Sequence, residues 1–219
     1  MKKTLIIVGN APLPRDLSAE VDAADFVVRF NEPKQSIGMS GTRTDLLMLA
    51  TSSKPMQRRL RDPGFVQTPT FKAAKEVMLA YHPSIIRKYH PPRPNFLSRL
   101  KGRRGDWTMQ TIEVVGSAGK EIRIMPPPQF YLAGCKELGV TEENISKVFP
   151  STGFFGIWYM LEKCPQESWD VKICGFTWEG WKRHTWGGMS AAGLSKRSSP
   201  GVSALFNDAA HTYNFRQKA

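Results

Sequence analysis

Leu5 to Leu49 reads LIIVGNAPLPRDLSAEVDAADFVVRFNEPKQSIGMSGTRTDLLML, and this stretch decides the fold. Its apolar run from Leu5 to Val8 stops at Gly9-Asn10, and Pro12, Pro14 and a polar segment of helical character follow. Strand, tight turn and helix in that order open an α/β unit. Further apolar runs span Phe26 to Phe30, ending in Asn31, and Leu46 to Ala50, preceded by Gly41-Thr42-Arg43-Thr44-Asp45. Three strands therefore deliver Gly9, Asn10 and Asn31 to strand ends, where open α/β sheets place their ligands. Glycine lets a backbone come close to a ligand, and the two asparagines bring neutral amides that donate to phosphate or ribose and accept from a base. The turn is not a dinucleotide fingerprint, because G-x-G-x-x-G is absent.

The chain of 219 residues is 41% hydrophobic, enough for one substantial core, so a single domain over residues 1–219 is expected. Its formal charge of +12 points to anionic partners: nucleotide phosphates, nucleic acid, or an acidic lipid or glycan surface. Charge does not choose among them. The run before Gly9 is too short for a signal-peptide core, and no stretch reaches transmembrane length. Cys135, Cys164 and Cys174 lack C-x-x-C spacing, which argues against a disulfide framework or a zinc site. A cytoplasmic setting is the expectation.

Beyond the first unit, Thr51 to Arg61 carries Lys54, Arg58, Arg59 and Arg61 and reads as a solvated basic helix face. Lys75 to Tyr81 reads as a strand ended by His82-Pro83. Around 84–106, Pro91, Pro92 and Pro94 followed by Lys101, Arg103 and Arg104 predict an irregular basic excursion, suited to an acidic acceptor or a membrane surface. Glu121 to Met125 is a strand candidate, and Gln129 to Leu138 a helix closed by Gly139. His82 and His90 have no partner at metal-ligand or catalytic spacing and read as structural or surface histidines.

A second constellation begins at Phe149-Pro150-Ser151-Thr152-Gly153, ahead of the apolar helical segment FFGIWYMLEKC. Ser or Thr at such a junction caps a helix, whose first turn presents unpaired N–H groups at the positive end of its dipole. Such a tip is either a ready anion site or the start of an ordinary capped core helix, and these residues alone favour the latter. Asp170 to Phe176 then reads as a strand leaving through Gly175-Phe176.

These segments resemble the motifs of the family 29 sialyltransferases. Val8-Gly9-Asn10, Val28-Arg29-Phe30-Asn31 and Gly41 to Asp45 look like the large sialylmotif, in order and at similar spacing. Pro150 to Gly153, Cys164 and Cys174-Gly175-Phe176 resemble the small one, with Cys174 where the family has Tyr. In the animal enzymes the Cys matched by Cys164 pairs with one just before the first strand, and Leu5 stands at the equivalent place here. The resemblance thus implies a bacterial-type relative without that disulfide. His184-Thr185-Trp186 is similar to the third motif, and His211 to the histidine of the very small motif, although Arg216 replaces the family's Glu. A competing alignment makes His184 the very-small-motif histidine, with Met189 at the Glu position.

The resemblance implies a single Rossmann-like α/β domain, a GT-A-like variant with a mostly parallel central sheet flanked by helices. It also implies inverting transfer of an acidic sugar, sialic acid or Kdo, from its CMP donor to a hydroxyl of a glycan or lipid-linked acceptor. The CMP-binding set would be Gly9, Asn10, Asn31, Phe149, Ser151, Thr152 and Gly153, with His211 as general base and His184 at the departing phosphate. No D-x-D pair is present, so a metal-independent reaction without a cofactor is expected, in the cytoplasm with peripheral contact at an anionic membrane face. Two other classes compete. One is a CMP-binding accessory protein that lacks turnover, favoured by Arg216. The other is a nucleic-acid-binding module, favoured by charge alone, which leaves the GN and PSTG segments unexplained.

Overall fold

The computed structural model describes residues 1–32, 38–91, 105–146 and 150–176, with the backbone alone of 202–204. Among these, seven strands form one sheet: β1 Lys3–Val8, β2 Phe26–Phe30, β3 Leu46–Leu49, β4 Glu76–Leu79, β5 Glu121–Ile124, β6 Trp169–Cys174 and β7 Val202–Ala204. The spatial order is β5-β4-β3-β2-β1-β6-β7, and every neighbouring pair is parallel. A parallel sheet needs crossovers that cover both faces, so its inner strands read as unbroken apolar runs. Leu5, Ile6, Ile7 and Val8 of β1 are all buried accordingly.

The helices divide between the two faces. On one side Leu5, Ile7, Val28, Phe30, Leu46, Met48 and Met78 pack against α4 (Pro83–Tyr89), α6 (Pro128–Glu137) and α7 (Thr152–Lys163). On the other, Ile6, Val8 and Val27 meet α1 (Ser18–Asp22). Leu47, Leu49, Val77 and Leu79 of that same side meet α2 (Ser53–Arg61), α3 (Pro69–Ala73) and α5 (Thr108–Ser117). Successive residues of each strand thus feed opposite layers. A methyl group added to Gly156 of α7 would press on the Phe30 ring and come within 2.9 Å of the Met48 sulfur, so α7 lies close over β2 and β3.

Of the excursion expected around 84–106, Ser84 to Tyr89 belong instead to helix α4, and residues 92–104 lie outside the described residues. Pro83 occupies the first turn of α4, where a missing N–H costs nothing, and His82 caps it by accepting the Ser84 N–H on Nδ1 at 3.2 Å. Asp106 bridges to Ser52, and the Trp107 N–H donates to Thr51 O at 2.9 Å. Cys135, Cys164 and Cys174 are buried free thiols. No helix among the described residues is long and apolar enough to cross a membrane.

Candidate functional site

The chain runs from β1 outward through β2, β3, β4 and β5, then returns to place β6 on the other side of β1. Strand order reverses there, and the neighbouring loops diverge at the carboxyl ends to leave a crevice. Gly9-Asn10 leaves β1 at this point and Gly175-Phe176 leaves β6.

The two exits touch through their backbones. The Gly9 N–H donates to Cys174 O and the Ala11 N–H to Gly175 O, each at 2.8 Å. A methyl group on Gly9 would overlap Gly175 O, and one on Gly175, whose φ is +69°, would come within 2.7 Å of Gly9 O. Only glycine on both strands permits this crossing.

Two asparagines flank it, with their amides polarised by the protein. Asn10 is exposed, and its Nδ2 donates to Phe30 O at 2.9 Å. A flipped amide would set two carbonyl oxygens face to face, so Oδ1 is the atom Asn10 turns outward as an acceptor. Asn31 follows β2 at φ +53°, a left-handed conformation that asparagine tolerates better than most residues. Its Oδ1 accepts from the Ala50 N–H at 3.1 Å and from Arg59 Nη1 at 3.5 Å. Both neighbours are donors, which leaves the Asn31 Nδ2 group to donate to a ligand.

The tip of α7 arrives at the same edge. Ser151 caps the helix, its Oγ accepting the Phe154 N–H at 3.1 Å, and its own O–H remains available. Thr152 and Gly153 open the first turn, where N–H groups have no intrahelical acceptor. The Phe176 ring links the two constellations: methyl groups added to Gly9 and to Gly153 would come within 3.1 Å and 2.9 Å of it. Gly9, Asn10, Asn31, Ser151, Thr152 and Gly153 thus border one crevice, whereas Phe149, His184 and His211 lie outside the described residues.

Two residues absent from the sequence-based set support this site. Tyr81, buried just past β4, donates to Pro150 O at 3.0 Å and lies 3.1 Å from Thr152 Oγ1. Arg59 corrects the reading of its segment as a solvated face. Its side chain is 11% exposed, its Nε is buried without a hydrogen bond, and the Glu32 carboxylate stands 3.8 Å away. Its signal was its position three residues after the fully buried Met56, on the inward side of α2.

Other motif residues work elsewhere. Arg29, 1% exposed, donates to Arg43 O, Ser40 Oγ, Ser40 O and Gly41 O, and burial pushes its pKa down to about 10. Asp22 Oδ1 accepts the Thr42 and Arg43 N–H groups at 3.0 Å and 2.8 Å, and Asp45 accepts the Val27 N–H at 2.9 Å. The GTRTD segment therefore braces the amino end of β3, at the edge opposite the crevice. A separate groove of about 860 Å3, lined by Leu60, Val66, Phe71, Trp107 and Val114 among others, lies between α2, α3 and α5, away from the switch point. Among the described residues no group of His, Cys, Asp and Glu could hold a metal ion.

No family model matches the chain. A curated protein, the urease operon 23 kDa accessory protein of Rhizobium meliloti (strain 1021), is 32% identical over 75 residues; the match spans 34% of this chain and 34% of that protein. Among solved structures, the sialyltransferase CstII from Campylobacter jejuni in complex with the substrate analogue cytidine-5'-monophosphate superposes with a TM-score of 0.53 at 10% identity. That likeness covers 94% of this chain and 81% of the other. An alpha-2,3-sialyltransferase from Campylobacter jejuni in apo form gives 0.53 at 12% identity, over 95% and 77%. At such identities the likeness is one of fold, and it does not single out family 29. The chain has a sialyltransferase-like α/β fold, with its sheet parallel throughout and helices on both sides.

Proposed function

We propose that this protein is a glycosyltransferase that binds a CMP-activated acidic sugar in the crevice between β1 and β6 and transfers the sugar to an acceptor hydroxyl. The observation that carries this reading is the convergence of the Gly9-Asn10 turn and the Ser151-capped helix tip on the Phe176 ring, at the strand-order reversal. One of the fold's neighbours was solved with cytidine-5'-monophosphate, which supports a CMP donor.

The chemistry suits the donors present. As the anomeric bond to phosphate breaks, negative charge grows on the departing CMP, and stabilisation requires fixed hydrogen-bond donors and positive dipole ends. The Asn31 amide, the Ser151 hydroxyl and the first-turn N–H groups of α7 supply them. Asn10 Oδ1 is free to accept from the base or ribose. His211 takes the acceptor proton and His184 serves the departing phosphate, as the motif resemblance implies. Transfer needs no divalent ion. The donor sugar is sialic acid or Kdo, and a lipid-linked acceptor at an anionic membrane face suits the charge of +12.

A second reading is a CMP-binding accessory protein without turnover. It is favoured by Arg216 at the family's Glu position and by the name of the partial curated relative. One assay separates the two: release of CMP from CMP-sialic acid and CMP-Kdo, with and without acceptor, in EDTA. Turnover in EDTA supports the transferase, and tight CMP binding without release supports the accessory protein. Loss of activity in EDTA with rescue by magnesium or manganese removes the metal-independent mechanism. His211→Ala is expected to lower kcat about 100- to 10,000-fold with CMP binding retained. Loss confined to His184→Ala favours the competing alignment.

A further inference from the structure

Arg59 is costly where it stands. Its Nε–H is buried with no acceptor among the described residues, and leaving a charged buried donor unsatisfied carries a larger penalty than for a neutral one. Burial pulls its pKa below the ordinary value, against the attraction of Glu32. Glu32 Oε2, 3.8 Å from Nε, is near enough for charge attraction and too far for a hydrogen bond. The one hydrogen bond found for this guanidinium among the described residues is the 3.5 Å contact from Nη1 to Asn31 Oδ1. A guanidinium carries five N–H donors. Among the described residues most of its capacity is therefore unused, beside an asparagine whose remaining group is also a donor. Arg58 on the preceding position adds positive potential rather than relief. Two donor groups side by side at a strand end, one of them cationic, call for an acceptor that the described residues do not provide.

We propose that Arg59 is the charged anchor of the crevice: its guanidinium and the Asn31 Nδ2 group together hold an anionic oxygen of the ligand, from a phosphate or a carboxylate. This rests on the crevice being the ligand site, and it deepens the CMP-sugar reading by assigning the residue that recognises charge. A CMP-linked acidic sugar carries both anions, and the planar fork of arginine fits either one. The sequence pattern hid this role because Arg59 sits among three other basic residues of the same helix.

The test is calorimetric titration of the wild type, Arg59→Gln and Arg59→Lys with cytidine, CMP and CMP-sialic acid. It is accompanied by an NMR titration of the wild-type Arg59 Nε–H resonance with inorganic phosphate, acetate, CMP and CMP-sialic acid. If Arg59 holds the phosphate, Arg59→Gln lowers the CMP-to-cytidine affinity ratio by about tenfold or more, as expected for a hydrogen bond to a charged group, and Arg59→Lys restores part of it. If it holds the carboxylate, that ratio stays and the preference for CMP-sialic acid over CMP collapses instead. A residue that only props the Asn31 rotamer weakens all three ligands alike, leaves both ratios unchanged in Arg59→Gln, and overturns the proposal. Should the substitutions unfold the chain, the wild-type NMR titration decides. Saturable movement of the Arg59 resonance with phosphate but no binding of any cytidine compound keeps the anchor and sinks the CMP reading. Binding of CMP-sialic acid, which carries both anions, with a motionless Arg59 resonance does the reverse.

Discussion

Tyr81 and Thr152 share a hydrogen bond of 3.1 Å, which ties the end of β4 to the first residue of α7. The Tyr81 O–H donates to Pro150 O, so Thr152 supplies the proton of the second bond. Burial holds the Tyr81 pKa well above the ordinary phenol value, and the hydroxyl stays protonated. Tyr81→Phe removes this fastening and strands the Pro150 carbonyl. We expect a loss of about 1–2 kcal/mol in urea unfolding, with CMP affinity weakened several-fold as the helix tip loosens. An unchanged midpoint together with unchanged CMP binding would show that the fastening does not position the site.

The backbone crossing at Gly9 and Gly175 leaves no space for a side chain on either residue. Gly9→Ala should cost about 1–3 kcal/mol, as overpacking does, and should reduce CMP affinity more than stability because the crevice itself is prised open. Gly139→Ala is the control: its φ is +72° with nothing near, so it should cost about 1–2 kcal/mol from conformation alone and leave CMP binding intact. Equal effects of the two on CMP would argue against a ligand at this crossing.

Asn31 presents only its amide N–H2 to the crevice. Asn31→Asp keeps an oxygen for the Ala50 N–H and for Arg59, so the fold should persist with a melting temperature near the wild type. The same change replaces a donor with a negative charge beside an anion. Binding of CMP is expected to fall more than about tenfold, with cytidine affected much less. Equal losses for CMP and cytidine would place Asn31 away from the phosphate.

Asp45 sets an acid limit on stability. Burial, the largest influence, opposes its charged form, but hydrogen bonds from Lys75, Arg43 and the Val27 N–H outweigh it and hold the carboxyl below its ordinary value. A carboxylate depressed in the folded state contributes stability above its unfolded pKa of about 4, and that contribution is lost as pH falls through the folded value. Asp45→Asn should be destabilised at pH 7 and should lose less stability than the wild type between pH 5 and 3, in a range of about two units. Parallel pH profiles for the two proteins would remove Asp45 from the acid response.

The fold was legible where burial leaves a one-dimensional trace. Leu5 to Val8 is apolar throughout because β1 has neighbours on both edges and helices on both faces. Helix α5 was not foreseen, because two of its three fully buried positions, Thr108, Thr111 and Val115, are threonines, while Met109 is 71% exposed. Pro83 read as a breaker and proved to be a first-turn proline. At the site, the Gly9-Asn10 and Ser151 signals lay in local turn and cap chemistry. Arg59 and Tyr81 act through partners distant in sequence, and no local pattern records such pairing.

Because β6 alone covers the second edge of β1, a nascent chain that has threaded out only as far as α6 carries a bare, strongly apolar strand border beside a half-built sheet. Such borders recruit stray strands from other molecules. Pairing of Trp169–Cys174 with β1 removes that border in the same step that assembles the mouth of the crevice.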